Sequence, residues 1–226
     1  MKKQRDKILK RRIFLVDDHP LVREFLAQLI NQQDDLEVCG DCAEATECMQ
    51  LLTTARADLV VVDLSLEKTH GFDLIKDLRL QHPRLPVLVL SMHDEAAYVE
   101  RALRAGARGY LTKTEATQLL LPAIRCVLTG EMYVSEKVAG KVVGLFLRGY
   151  GATDPNAPTS RLSDRELQIF ELIGRGYPTK QIAAVLKVTV KTVDTHRANL
   201  KEKLGVATIE ELRAAAEKWA QRTLNP

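Results

Sequence analysis

Short apolar runs alternate with amphipathic stretches through the first 130 residues. The runs Ile13–Val16, Leu36–Cys39, Leu59–Val62, Val87–Leu90 and Gly109–Leu111 predict five buried strands. Between and after them, Leu21–Ile30, Ala45–Leu52, Phe72–Leu80, Ala96–Ala105 and Ala116–Leu128 carry the helical period. Five βα units predict an α/β fold, a five-stranded parallel, doubly wound sheet with helices on both faces, because parallel strands need crossover connections. Chemistry in such a sheet gathers at the carboxyl ends of the strands. Ser135–Arg148 then predicts a linker helix, and the Gly/Pro/polar stretch Gly149–Ser160 a flexible boundary. Four more helical patterns follow: Asp164–Ile173, Thr179–Leu186, Lys191–Leu204 and Ile209–Gln221. The organisation expected is an arm (1–12), an α/β domain (13–130), a linker helix and flexible linker (131–160), and a small all-α four-helix domain (161–226).

A chain of 226 residues suits two domains of about 100 to 130 residues each. With 46% hydrophobic and 28% charged residues it has material for real cores, which excludes wholesale disorder. Its apolar runs fall far short of the ~18 residues a membrane span needs. Ile13–Val16 is too short for a signal-peptide core, and Asp17 and Asp18 follow it at once. A cytoplasmic location with no membrane partner is expected. The net charge of +3 is unevenly spread: +6 over residues 1–12, −8 over 13–134, +1 over 135–160 and +4 over 161–226. An acidic body joined to a basic tail piece suggests one domain that gathers cations and another that meets polyanions. Cys39 and Cys42 have C-x-x-C spacing, but neither a second such pair nor paired histidines complete a zinc site, so packing residues are expected.

Asp17 and Asp18 follow the first strand and Asp63 the third, and these two strands are neighbours in a doubly wound sheet. Three carboxylates brought together repel, and Mg²⁺, a hard cation with oxygen ligands, is the natural compensation. Ser91 ends the fourth strand, Lys113 follows the fifth, and Tyr110 lies three residues before it. A hydroxyl and an ammonium beside a carboxylate-bound metal can neutralise the oxygens of a transferring phosphoryl group. The set Asp17-Asp18-His19-Pro20, Asp63 with Gly71, Ser91 and Gly-Tyr110-Leu-Thr-Lys113 resembles the receiver domain of bacterial two-component response regulators, over roughly residues 11–130. The resemblance implies a flavodoxin-like fold and a phosphoryl group accepted by Asp63 from a histidine kinase. It further implies Mg²⁺ held by Asp17, Asp18, Asp63 and the Ser65 backbone carbonyl. Lys113 would pair with the phosphoryl oxygens, and Ser91 and Tyr110 would form a conformational switch. Ser65 and His93 occupy positions that tune hydrolysis of the phosphoaspartate in that family. Glu67 departs from the proline often found there, while His19 is expected as a neighbour of the acids rather than a ligand.

In the basic segment, Thr179–Leu186, a tight turn and Val190–Leu204 read as helix-turn-helix, with Thr189 a good N-cap. Val193, Leu200 and Leu204 share an inward stripe; Lys191, Asp194, Thr195, Arg197, Ala198 and Lys201 face largely outward. Cations there can neutralise phosphates and short side chains can touch base edges. Ser163 and Glu166 have capping-box spacing. Leu162-Ser-Asp-Arg-Glu166, Gly176–Ala183 and Val190-Lys-Thr192-Val-Asp-Thr-His-Arg197 through Gly205 closely resemble the LuxR-type helix-turn-helix. By that resemblance Lys180, Lys191, Arg197 and Lys201 would be phosphate contacts, Asp194, Thr195 and Ala198 fall at base-reading positions, and Thr192 belongs to the same DNA-binding set.

A receiver followed by this module resembles a NarL/FixJ-type response regulator. It implies a regulator rather than an enzyme, in which phosphorylation drives homodimerisation and sequence-specific DNA binding. A sensor histidine kinase, DNA half-sites and RNA polymerase are the implied partners. Two other readings stand beside it. One is a phosphorylation-independent regulator or scaffold, which has no physical need for all five receiver residues. The other is an Asp-nucleophile phosphatase, which wants a second acid where Ser65 stands. Trp219 either packs the core or joins a dimer interface.

Overall fold

The computed structural model describes residues 9–66, 71–92, 96–145, 158–186 and 188–224. Glu67, His93 and the 149–157 part of the expected linker lie outside them, as does most of the basic arm. The chain divides into two compact units, residues 1–139 and 140–226.

In the first unit, strands β1 (Arg11–Val16), β2 (Leu36–Cys42), β3 (Leu59–Asp63), β4 (Val87–Ser91) and β5 (Gly109–Thr112) alternate with helices. These are α1 (Pro20–Asn31), α2 (Ala45–Ala55), α3 (Gly71–Gln81), α4 (Ala96–Ala105) and α5 (Ala116–Leu128). These strands are parallel and stand in the order β2-β1-β3-β4-β5. Every residue of β3 and β4 is buried, because both sheet faces are covered by helices. Ile13, Leu15, Leu59, Val61, Leu88, Leu90 and Leu111 pack with Leu26 and Ile30 of α1 and Leu120, Ile124 and Val127 of α5. The alternate residues Phe14, Val60, Val62, Val89 and Tyr110 are buried as well, as period-2 side chains on the opposite face.

The sheet has six strands where five were expected. The sixth, β6 (Tyr133–Val134), pairs in parallel with β5 through Gly109↔Tyr133 and Tyr110↔Val134. Two residues carry no readable alternation, so only tertiary pairing defines this strand. A Cβ at Gly109 would lie 2.7 Å from Leu88, 2.9 Å from Val127 and 3.3 Å from the Tyr133 carbonyl, so β5 has no room for a side chain beside β6. Beyond it, Ser135 Oγ donates to Glu115 Oε2 (3.0 Å), which also accepts from Thr112 Oγ1 (2.6 Å), tying the segment to the end of β5. Helix α6 (Glu136–Leu145) occupies most of the expected linker helix.

The second unit holds α7 (Asp164–Gly174), α8 (Thr179–Val185), α9 (Val190–Leu204) and α10 (Ile209–Leu224). Ser163 caps α7 in a complete capping box with Glu166, and Lys203 adds an ion pair to Glu166 at 2.7 Å. Gly174 lets α7 approach α10 closely, since a Cβ there would lie 2.5 Å from the Ala216 carbonyl. Trp219 packs on Phe170 with ring centroids 5.8 Å apart. Val193 and Leu200 of α9 are fully buried, while Leu204 is half-buried.

Candidate functional site

β1 and β3 are adjacent, with Val16 opposite Val62, so the next residue of each chain segment emerges at the same end of the sheet. Asp17 and Asp63 therefore meet there, 2% and 1% exposed. Lys113 arrives from beyond β5, its amide donating to the Ser91 carbonyl (2.7 Å). Its Nζ lies 2.6 Å from Asp17 Oδ2 and 2.8 Å from Asp63 Oδ2. The Ser65 amide donates to Asp63 Oδ1 at 3.1 Å. Ser91 and Tyr110 are completely buried on β4 and β5. Asp17, Asp18, Asp63, Ser91 and Lys113 thus all belong to the carboxyl edge of the sheet, and Tyr110 sits one turn of strand behind it.

Sequence reasoning expected His19 beside the acid pair, but nothing in it announced the contacts of Arg23. His19 Nδ1 is 2.7 Å from Asp18 Oδ1 and 3.3 Å from Asp17 Oδ1, so His19 is held by both acids. Its position directly after the acid pair was the available signal. Arg23 donates to the Asp17 carbonyl (2.5 Å) and to Asp41 Oδ2 (2.8 Å), bracing the β1–α1 turn against β2. Gly71 has no room for a Cβ, which would lie 2.5 Å from the Asp63 carbonyl. Its amide donates to the Leu64 carbonyl (3.2 Å), so the chain after Asp63 closes tightly upon itself.

The electrostatics are tense. Burial pushes the Asp63 carboxyl above the usual range and Asp17 adds repulsion, with Lys113 pulling the other way. Burial works against the Lys113 ammonium, yet Asp63 and Asp17 together raise its pKa. Asp17, Asp18, His19 and Asp63 offer ligand atoms that all lie within 4.8 Å of one another. Lys113 pairs with Asp17 and Asp63 while Asp18 lies against His19, and three carboxylate groups gathered in this way suit a hard divalent cation such as Mg²⁺.

In the helical unit, Thr189 Oγ1 accepts from the Thr192 amide at 3.1 Å and so caps α9, and Gly205 (φ 67°) closes it. Lys180, Lys191, Asp194, Thr195 and Ala198 are exposed; Thr192 and Lys201 are half-buried. Arg197 is turned inward: its Nη1 donates to Thr179 Oγ1 and joins α9 to α8. His196 is half-buried, with burial and the nearby Arg165 holding its imidazole below its ordinary pKa. Cys39, Cys42, Cys48 and Cys126 are all free thiols. Among the described residues no helix is long and apolar enough to cross a membrane.

Comparison with known proteins agrees with this division. Residues 13–125 match the response regulator receiver domain family, and residues 160–216 match the luxR family of bacterial regulatory proteins. The oxygen regulatory protein NreC of Staphylococcus carnosus is 34% identical over 204 residues, covering 89% of this chain and 94% of NreC. NreC of Staphylococcus aureus is 35% identical over the same span. Among solved structures, a LuxR-family two-component response regulator from Aurantimonas is 32% identical, covering 62% of this chain and 99% of that one at a TM-score of 0.59. RcsB of Salmonella enterica serovar Typhimurium, bound to promoter DNA with the phosphomimetic BeF₃⁻, shares the fold at a TM-score of 0.61. It is 24% identical, covering 93% of this chain and 100% of that one. With both halves matched in order and the relatives matched almost end to end, this chain belongs to the response regulators that join a receiver domain to a LuxR-type DNA-binding domain.

Proposed function

We propose that this response regulator is switched by phosphorylation at Asp63, with a sensor histidine kinase as donor and DNA half-sites as target. The observation that carries the reading is the buried meeting of Asp17, Asp63 and Lys113 at the carboxyl edge of the sheet. A carboxylate oxygen of Asp63 attacks phosphorus as the P–N bond of a phosphohistidine breaks; the electron pair returns to the imidazole, which takes up a proton. Lys113 neutralises the phosphoryl oxygens. Asp17, Asp18 and Asp63, with the Ser65 carbonyl, would hold Mg²⁺, whose charge would offset that developing on the phosphoryl group. Ser91 and Tyr110 form the element with two arrangements, and its bias changes the surface around α4 and β5. Residues 13–130 then act as the switch and 161–226 as the DNA-binding part. Lys180, Lys191, Thr192 and Lys201 serve the backbone, Arg197 braces α9 against α8 through Thr179, and Asp194, Thr195 and Ala198 serve the bases. Dimerisation matches two recognition helices to two half-sites.

The family is one of transcription regulators rather than enzymes. A cytoplasmic location follows from this reading, since kinase, DNA and RNA polymerase would be met there. The test is the solution mass by light scattering, with and without Mg²⁺ and beryllofluoride, for wild type and Asp63→Asn side by side. Wild type shifts from monomer toward dimer and Asp63→Asn does not. Two chains that behave alike would overturn switching through Asp63.

A further inference from the structure

We infer that Asp194 reads cytosine in the major groove and sets the base preference of this chain's recognition helix. The inference rests on the DNA-binding reading and assigns a ligand chemistry within it.

Most polar side chains on the first turns of α9 are spent inside the protein. Thr189 Oγ1 accepts from the Thr192 amide and lies 2.9 Å from Thr192 Oγ1. Thr195 Oγ1 donates back to the Lys191 carbonyl (3.0 Å), and Arg197 is held by Thr179. Asp194 is exposed and, among the described residues, makes no hydrogen bond or ion pair, not even with Lys191 one turn before it. It lies beyond the first turn, so the helix N-terminus gains little from its charge. Fold stability therefore gives no reason for a carboxylate here, and a polyanionic partner gives a reason against one.

The cost is offset only where the carboxylate meets a donor. The base edges of the major groove supply two, the N4 amino group of cytosine and the N6 amino group of adenine. Adenine places the N7 acceptor beside its amino group, where a carboxylate oxygen would be repelled; cytosine presents a C–H there. Guanine and thymine offer Asp194 only acceptors or a methyl group. One side chain thus favours one base and penalises the others, which is how specificity is built. Ala198, one turn further on and exposed, has no polar atom to satisfy and lets the helix sit close.

The test uses the full chain with Mg²⁺ and beryllofluoride and selects bound duplexes from a randomised library. Wild type, Asp194→Ala and Asp194→Asn are compared, with thermal melts to confirm that both variants fold. Wild type enriches a half-site with one cytosine position, and changing that base pair weakens binding roughly tenfold. Asp194→Ala loses the preference while binding random duplex more tightly, and Asp194→Asn moves it toward adenine. An Asp194→Ala motif identical to wild type overturns the inference and makes Asp194 a mere surface charge. A wild-type chain that enriches no sequence at all overturns the DNA-binding reading itself.

Discussion

Asp63 is the residue on which the fold spends stability. Its carboxyl is almost wholly buried beside Asp17, and burial raises its pKa despite the Lys113 pair. A raised carboxyl pKa means that the fold favours the neutral form, so the ionised form destabilises the native state at neutral pH. Asp63→Asn keeps the shape and removes the charge. The melting temperature of the variant should rise by ~2–5 °C in scanning calorimetry at pH 7.5 without metal. Added Mg²⁺ should raise the wild-type value and move the variant much less, because a ligand stabilises only the state that binds it. An unaltered or lowered melting point would mean that the Lys113 pair outweighs the burial. The meeting of these groups was legible because each Asp directly follows an apolar run on a neighbouring strand. Arg23, which grips the Asp17 carbonyl, was not, since nothing in an α1 arginine announces a backbone partner.

At the scale of elements, apolar runs such as Leu59–Val62 and Val87–Leu90 were readable because a sheet covered on both faces buries every residue. β2 runs on to Cys42, past the expected end at Cys39, through a register shift opposite Ile13 and Phe14. Gly40 sits there because a Cβ would lie 2.7 Å from the Phe14 ring. Such packing partners are invisible to a local pattern. The same holds for α9, whose period announced Val193 and Leu200 but not the turn of Arg197 toward α8. His196 gives this helix a pH signature. Its Nδ1 is buried without a hydrogen bond, and burial, then Arg165, disfavour the imidazolium. As pH falls through ~6.5, the unfolded chain takes up the proton before the native one does. The helical unit should therefore hold full stability above about pH 7 and lose it progressively toward pH 5. Glu166 acts at lower pH: although burial opposes ionisation, Lys203 and Ser163 hold its carboxyl below the ordinary glutamate range, so its contribution is lost only in a more acidic window. Trp219, the one tryptophan of the chain, packs in this unit and reports it by fluorescence. Urea midpoints for His196→Gln should stay flat between pH 8 and 5 where wild type declines; parallel curves would exclude His196 as the cause.

Across the whole molecule, charge separates the two tasks. Residues 13–134 carry −8, which suits a unit that gathers a divalent cation, and residues 161–226 carry +4, which suits one that meets DNA. Residues 13–134 repel a polyanion on balance, so cations on the helical unit should carry much of the salt dependence of DNA binding. Each lysine on a phosphate releases about one counterion, and its removal flattens the slope of log K against log salt by about one. Lys191→Ala and Lys201→Ala should each do so, and the pair together by about two, when binding to a selected duplex is titrated between 50 and 300 mM salt. Arg197 is predicted to behave differently. Its guanidinium is already engaged with Thr179, so Arg197→Ala should lower the melting point of the helical unit and change the salt slope less than either lysine does. Equal slopes for all three variants would mean that Arg197 leaves Thr179 to join the phosphate contacts when DNA binds. Slopes unchanged in the two lysine variants would remove α9 from the electrostatic footprint.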